Sequence, residues 1–439
     1  MKHFIVVLIL QTLIFGIAPL RAELNPSQET DPDAGKNALT KKASEEKYTL
    51  AKLVEIALEH TQILGSQDAR VKQARFSALQ ARTWPGPSLE FSSGKKKEAQ
   101  LGGARRELVF AQPLPLLGKL NLQGEILDLE SESWRVRRVQ SEIAVTLNVA
   151  QIAYEYALNR QKANFVEKRR KRFELIQAYL AGRVFATPQK KAESHIVQNH
   201  LKSLASEAIQ SQAGFKAAFQ KLKAYVPLDS QKYPDIDAPF FSGSKTLDEK
   251  EWFPKALQNN PDLRLQKLVV QGAQLEKTLA RRDGLPDPSL TASYEESKTQ
   301  ETEKNYGLGL SLALPPWNRN RSGVRSAEQK KLAEDKQLAF EEQKLRAVIS
   351  QILVEYEAAR LIVQQYPQAI LPSLEAQLEE AEEGFRKGQL NLLTFLELDD
   401  SADETYERAL DAQLNLAIKV AEILNAAGEQ GALALFGSF

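Results

Sequence analysis

The sequence predicts a mainly α chain with a small β part, in which long coiled-coil-like helices carry two β-hairpins. The hairpins read as pieces of a transmembrane β-barrel shared between copies of the chain. Three observations carry this: seven-residue apolar periodicity over long proline-poor stretches, two short segments of apolar alternation, and repetition of the whole pattern about 200 residues apart. With 26% charged residues, 43% hydrophobic residues and a formal net charge of +1, no strong field of either sign argues for nucleic acid.

The first residues, MKHFIVVLILQTLIFGIAPLRAELN, set a basic Lys2 before an apolar run from Phe4 to Ile17 and a small Ala22 at a cleavage point. This is the pattern of a secretory signal peptide over 1–22, because the run is short and Pro19 and Arg21 break it. Residues 23–47 are polar, contain Pro26, Pro32 and Gly35 and show no period, so they read as a flexible lead-in. Cysteine is absent, which excludes a lipid-modified cysteine after cleavage, a disulfide framework and thiolate chemistry. No later segment holds the roughly 18 uninterrupted apolar residues of a spanning helix, so any crossing of a membrane falls to strands.

From Tyr48 onward the pattern is stated twice. LVEIALEHTQIL from Leu53 is echoed by WFPKALQNNPDL from Trp252, PGPSLEF at Pro85 by LPDPSLT at Leu285, and FAQPLPLLGKL at Phe110 by LSLALPPWNRN at Leu310. YLAGRVFATPQ and FRKGQLNLLTF pair Gly182 with Gly388. Each half reads as helix, hairpin, long helix, glycine-marked turn and helix, over 48–226 and 251–427, with a linker at 227–250 and a tail at 428–439. From Lys119 to Ala181 there is one glycine, Gly124, and no proline, which predicts about 90 Å of helix. Within it Ile143, Leu147, Ala150, Tyr154 and Ala157 keep a four-three spacing, as do Leu345, Ile349, Ile352, Tyr356, Ala359 and Val363 in the second half. That is the period of a supercoiled seam, which an ordinary bundle shares. The helices before each hairpin (48–83, 252–283) and after each turn (188–226, 390–427) together match one long helix, so two short helices are expected end to end alongside a long one.

The hairpins are read from alternation. Tyr306, Leu308, Leu310, Leu312 and Leu314 alternate with Gly307, Gly309, Ser311 and Ala313, while Leu290, Ala292 and Tyr294 alternate with Thr291, Ser293 and Glu295. Strands are expected near 288–295 and 306–314 and, in the first half, near 87–93 and 105–112, where Leu89, Phe91, Leu108 and Phe110 mark the apolar face. Leu308, Leu310 and Leu312 are expected to face lipid. The strands approach the about 9–11 residues that cross a bilayer when tilted, and Trp84, Trp317, Tyr294 and Tyr306 fall where interfacial girdles belong. A soluble sheet shows the same period, which leaves open a periplasmic coiled-coil scaffold or adaptor-like protein with a small soluble sheet. Four strands cannot close a barrel in lipid, where an open edge is not tolerated, so the membrane reading requires further copies: two chains give eight strands and three give twelve.

The signal peptide, the doubled helix-hairpin-helix order, the prolines before each first strand (Pro87, Pro288) and the strand exits QPLPLLGKL and LALPPWNRNRSG together resemble the TolC-like outer-membrane efflux proteins, including the branch of metal-ion and multidrug exit ducts. The resemblance spans the chain from Tyr48 to Ala427. It implies a homotrimer with a twelve-stranded barrel in the outer membrane, continued through the periplasm as an α-barrel and docked to a periplasmic adaptor protein and an inner-membrane pump. It also implies adaptor-docking tips at Gly182, Arg183, Val184 and Phe185 and at Gly388, Gln389, Leu390 and Asn391, both of which depart from the family's usual Gly-x-x-Ser. The family's acidic pair after the second turn appears as Thr394 and Glu397, so one carboxylate per chain, Glu397, is expected at a pore constriction.

No catalytic, cofactor or metal constellation emerges. His195 and His200 are five apart on a predicted helix and do not share a face as an i, i+4 ligand pair would, and His60 stands alone. Met1 is the only methionine, which excludes a thioether relay. The run EEAEEGFRKG at 379–388 reads as a solvated helix face with its cations at the C-terminal end, where the helix dipole favours them. The expectation is a passive, non-enzymatic outer-membrane exit duct whose cargo is chosen by its pump.

Overall fold

Apolar residues at four-three spacing build helices and alternating ones build a sheet, so the computed structural model consists of two helical repeats that contribute to one four-stranded sheet. The structure describes residues 47–98, 101–181, 188–229, 233–298, 301–312 and 319–437. The expected signal peptide, the lead-in up to residue 46, the tip turn with Gly182, Arg183, Val184 and Phe185, and Leu314 and Trp317 lie outside them. The chain divides into two units. One is 1–46 with 228–234, of which 228–229 and 233–234 are described and have no regular structure; the other, 47–227 with 235–439, carries every element named below.

The first repeat runs β1 (Tyr48–Thr49), α1 (Leu50–His60), α2 (Gln62–Arg82), β2 (Ser88–Glu98), β3 (Leu101–Pro113), α3 (Lys119–Ala181) and α4 (Pro188–Lys223). After β4 (Ile236–Asp237) the second runs α5 (Glu249–Asn259), α6 (Pro261–Arg282), β5 (Pro288–Lys298), β6 (Thr302–Leu312), α7 (Arg321–Gln364), α8 (Ile370–Arg386) and α9 (Leu392–Ala427), followed by α10 (Ala432–Phe436). As the lengths require, α2 and α4 lie along α3, while α6 lies along α7 and α9 along both α7 and α8. The seam residues Ile143, Leu147, Ala150, Tyr154, Ala157, Leu345, Ile349, Ile352, Tyr356, Ala359 and Val363 are all buried.

Three breaks depart from the expected helices. Thr61 and Asn260 take extended angles (ψ 124° and 122°) at matching places in the two repeats, splitting each helix that precedes a hairpin. Asn260 then caps α6: its side-chain oxygen accepts from the Leu263 N–H at 3.0 Å, its amide donates to the Ala426 carbonyl at 2.8 Å, and Pro261 supplies a preset first-turn φ. The second long helix is divided into α7 and α8 around Pro367, which has no N–H to donate and disfavours helix in the residue before it. Without an internal proline, α3 continues for 63 residues, about 95 Å.

The two hairpins join edge to edge as one antiparallel sheet of order β2-β3-β5-β6, with Leu108 opposite Tyr294 and Phe110 opposite Ala292 at the junction. Every strand except β6 extends beyond its expected end, and β6 starts earlier, at Thr302. Pairing continues into the polar segments because the ladder needs only backbone groups, whereas alternation reports only where side chains become apolar.

Each strand-to-helix exit turns through two successive left-handed residues, Leu117 and Gly118 (φ 65° and 66°) and Arg319 and Asn320 (φ 46° and 57°). Glycine and asparagine are the residues that tolerate this region best, which gives the exit motifs their physical content. Side chains tie the first of these exits to the other repeat. Arg282 Nη1 donates to the Leu117 carbonyl at 2.6 Å, and Lys119 Nζ donates to the Leu285 carbonyl at 2.7 Å and to Asp287 at 2.9 Å.

Midway along the helices, β1 pairs in parallel with β4, placing Tyr48 opposite Ile236. The following linker is held by Gln413 of α9, which is fully buried. Its Oε1 accepts from the Tyr154 hydroxyl and the Phe241 N–H, both at 2.9 Å, and its Nε2 donates to the Phe241 carbonyl at 2.9 Å. Phe436 of α10 packs edge-on against Tyr154 and Phe241, so the C-terminal tail is part of this core. Gln413→Leu leaves a buried hydroxyl, N–H and carbonyl without partners. It is expected to cost about 2–4 kcal/mol, read as a lowered denaturation midpoint in detergent; an unchanged midpoint would show that the linker is held by other contacts.

Candidate functional site

The sheet separates two chemistries by register alone. On one face Phe91, Leu108, Tyr294 and Tyr306 form a row across four strands, Leu89, Phe110, Ala292 and Leu308 form the next, and Gln112, Leu290 and Leu310 a third. Leu308, Leu310 and Leu312 are 88%, 70% and 49% exposed. The Tyr294 and Tyr306 rings lie 5.3 Å apart, and the next row outward on this face is Ser93, Arg106, Glu296 and Lys304. The opposite face carries Thr291, Ser293, Gly307 and Gly309, and further out Arg105 pairs with Glu295 at 2.7 Å and Glu107 at 3.2 Å. Among the described residues β2 and β6 are paired on one side only. An exposed apolar face bounded by unpaired edges is unfavourable in water, and in lipid it requires closure by further strands.

At the far end of α3, the ends of α3 and α8 and the starts of α4 and α9 enclose a core that includes Phe173, Ile176, Val197, Phe385 and Phe395. The turn from α8 to α9 reverses at Gly388 (φ 74°), the Gln389 and Leu390 amides both donate to the Gly384 carbonyl (2.8 and 3.2 Å), and Asn391 Oδ1 accepts from the Thr394 N–H at 2.8 Å. Gly388, Gln389 and Asn391 are exposed. Leu390 instead packs back on the tip core, and the exposed apolar side chain beside the turn is Leu393, at 66%. Glu397 is exposed, and Asp400 is exposed one turn further along α9. The expectation of a single carboxylate overlooked Asp400, whose i+3 spacing from Glu397 places both on one helix face.

Between this tip and the linker lies a charged cluster that the sequence reading missed. Arg169 of α3 and Asp399 of α9 are both buried; Nε approaches the two carboxylate oxygens at 3.3 and 3.2 Å, and Nη2 donates to Oδ2 at 2.7 Å. Nη1 lies 2.6 Å from Asp403 and 3.4 Å from Glu207 of α4. His200 Nε2 is 3.5 Å from Asp399, too long for a good hydrogen bond. Burial works against the Asp399 charge, but contact with His200 and then Arg169 holds its carboxyl below the usual range. Asp403 is pushed up to about 6, chiefly by burial, with Glu207, Glu407 and Asp399 adding to the shift against the pull of Arg169. Acidic groups here come close enough for metal coordination, His200 with Asp399 and Asp400 and Glu207 with Asp403 and Glu407. The central cation is already the guanidinium, so we assign no metal. The available signal was seam position: Leu392, Phe395, Asp399, Ala402, Tyr406, Ala409, Gln413 and Leu416 keep the four-three spacing, as do Val166, Arg169, Phe173, Ile176 and Leu180.

Residues 252–429, which span the second repeat, match the family described as outer membrane efflux protein. The described chain has the fold of TolC-like outer-membrane channels, as its strand exits and doubled order led us to expect. The open-state MtrE outer membrane channel of Neisseria gonorrhoeae is similar at a TM-score of 0.69, with 16% identity, over 88% of this chain and 89% of that one. The CmeC outer membrane channel of Campylobacter jejuni is similar at 0.68, with 17% identity, over 86% and 85%. In sequence, the nickel-cobalt-cadmium resistance protein NccC of Alcaligenes xylosoxydans xylosoxydans is 23% identical over 271 residues, 60% of this chain and 60% of that protein.

Removing one partner of the buried ion pair leaves an uncompensated charge, so Arg169→Met is expected to destabilise the chain by about 3–5 kcal/mol. The double variant Arg169→Met with Asp399→Leu should recover most of that loss. Denaturation midpoints of the two variants measure the difference; equal losses would show that the charges do not depend on each other.

Proposed function

We propose that the chain is one subunit of a homotrimeric exit duct of a tripartite efflux or secretion system, resident in the outer membrane and extending into the periplasm. It conducts cargo passively from an adaptor and inner-membrane pump, without catalytic residues. The carrying observation is the four-stranded sheet with one exposed apolar face, one face of small and polar residues, and outer edges that are open among the described residues. Three such sheets give twelve strands and leave no edge in lipid. The name of one relative, a nickel-cobalt-cadmium resistance protein, points to divalent metal cations as cargo; a duct of this kind takes what its pump delivers.

In this reading Leu308, Leu310 and Leu312 face lipid, and Tyr294 and Tyr306 lie at an interface. The adaptor meets Gly388, Gln389 and Asn391 with the exposed Leu393, together with the turn at Gly182, Arg183, Val184 and Phe185. Leu390 supports the tip from within. Glu397 lines the periplasmic constriction.

Leu310→Arg places a cation near the bilayer midplane, at a cost of roughly 2–4 kcal/mol per chain, and is expected to abolish the detergent-resistant oligomer. Ser311→Arg points to the lumen, so the oligomer should persist while single-channel current falls or changes selectivity. Equal tolerance of arginine at both positions would sink the barrel reading and favour a soluble sheet on a scaffold. Glu397→Ala removes like charges that repel across the constriction and attract cations. Bilayer recordings should show raised conductance and weaker block by divalent cations, and unchanged values would remove Glu397 from the gate.

A further inference from the structure

Asp403 lies where two cations face four carboxylates. From α3 come Arg169 and Lys162, the latter 2.5 Å from Glu407; from α4 come Glu207 and His200; from α9 itself come Asp399 and Glu407. Arg169 commits Nε and Nη2 to Asp399, leaving Nη1 alone to serve Asp403 and Glu207. Oxygens of Glu207, Asp403 and Glu407 lie within 4.8 Å of one another, and Asp403 Oδ1 is buried without an aligned hydrogen bond. With every carboxylate ionised, these groups carry two uncompensated negative charges at a site that is only partly exposed, and α4 and α9 repel across it.

We propose that this cluster makes the packing of the tip-end helices proton-sensitive: one proton taken from solvent onto Asp403 and shared toward Glu207 closes α4 onto α9, and its release loosens them. The inference deepens the duct reading, on which its consequence for conduction rests, because the cluster stands directly behind the constriction at Glu397. The raised value of Asp403, about 6 against 3.8 for an ordinary aspartate, gives the sign. A carboxyl whose value is higher in the packed form stabilises that form while protonated, so packing is tightest near pH 4 and weakens as pH rises toward 6, above which it changes little.

The test is amide hydrogen exchange, corrected for intrinsic rates, with single-channel recording of the full-length protein at about pH 5 and about pH 7.5. Wild-type protection along the facing turns of α4 and α9 is expected to be on the order of tenfold higher at the lower pH, with smaller current. Asp403→Asn should hold the high protection and the small current at both pH values, and Glu207→Gln should reduce the pH response in the same direction. An Asp403→Asn variant that keeps the wild-type pH response in exchange overturns the inference. If exchange behaves as expected but no channel forms at either pH, the proton-sensitive packing stands and the duct reading fails.

Discussion

A sheet with an apolar face cannot end in lipid with its backbone edge unpaired, and that constraint organises the molecule. Each chain supplies four strands in one antiparallel order. The hairpins lie far apart in sequence, yet the β3 to β5 pairing brings them together and leaves, among the described residues, the outer edges of β2 and β6 unpaired. The left-handed exits at Leu117, Gly118, Arg319 and Asn320 then turn strands into helices, with Arg282 and Lys119 tying the two repeats at that level.

Below the sheet, polar residues in an otherwise apolar seam decide how the helices lock. Along α9 the four-three positions are filled by apolar residues except at Asp399 and Gln413. Each polar exception has its own long-range partner. Gln413 satisfies the backbone of the linker at Phe241, and Asp399 holds Arg169 of α3. An apolar side chain at either place would pack, but it would not distinguish one helix register from another; a buried polar group whose partners sit at fixed positions on other elements does.

The breaks in the helices serve the same geometry. Thr61 and Asn260 interrupt the short helices at equivalent points, and Pro367 divides the second long helix, whereas α3 remains whole. The repeats are therefore equivalent in order and unequal in helix continuity. The divided arm, α8 with α9, carries the exposed face with Leu393, Glu397 and Asp400.

The sequence by itself determined the repeat, the helix seams, the alternating faces and the exit motifs, because each is a local period or a local backbone requirement that neighbouring residues express together. The buried state of Tyr154, Ile349 and Tyr356 and the lipid-like row of Leu308, Leu310 and Leu312 follow from spacing alone. Only the tertiary structure decided that the two hairpins share one sheet, that Leu390 turns inward while Leu393 remains exposed, and that Arg169 meets Asp399 across 230 residues. Spacing identifies which face of a helix is buried; which residue of another helix meets it depends on register between elements distant in the chain, and no local pattern carries that information.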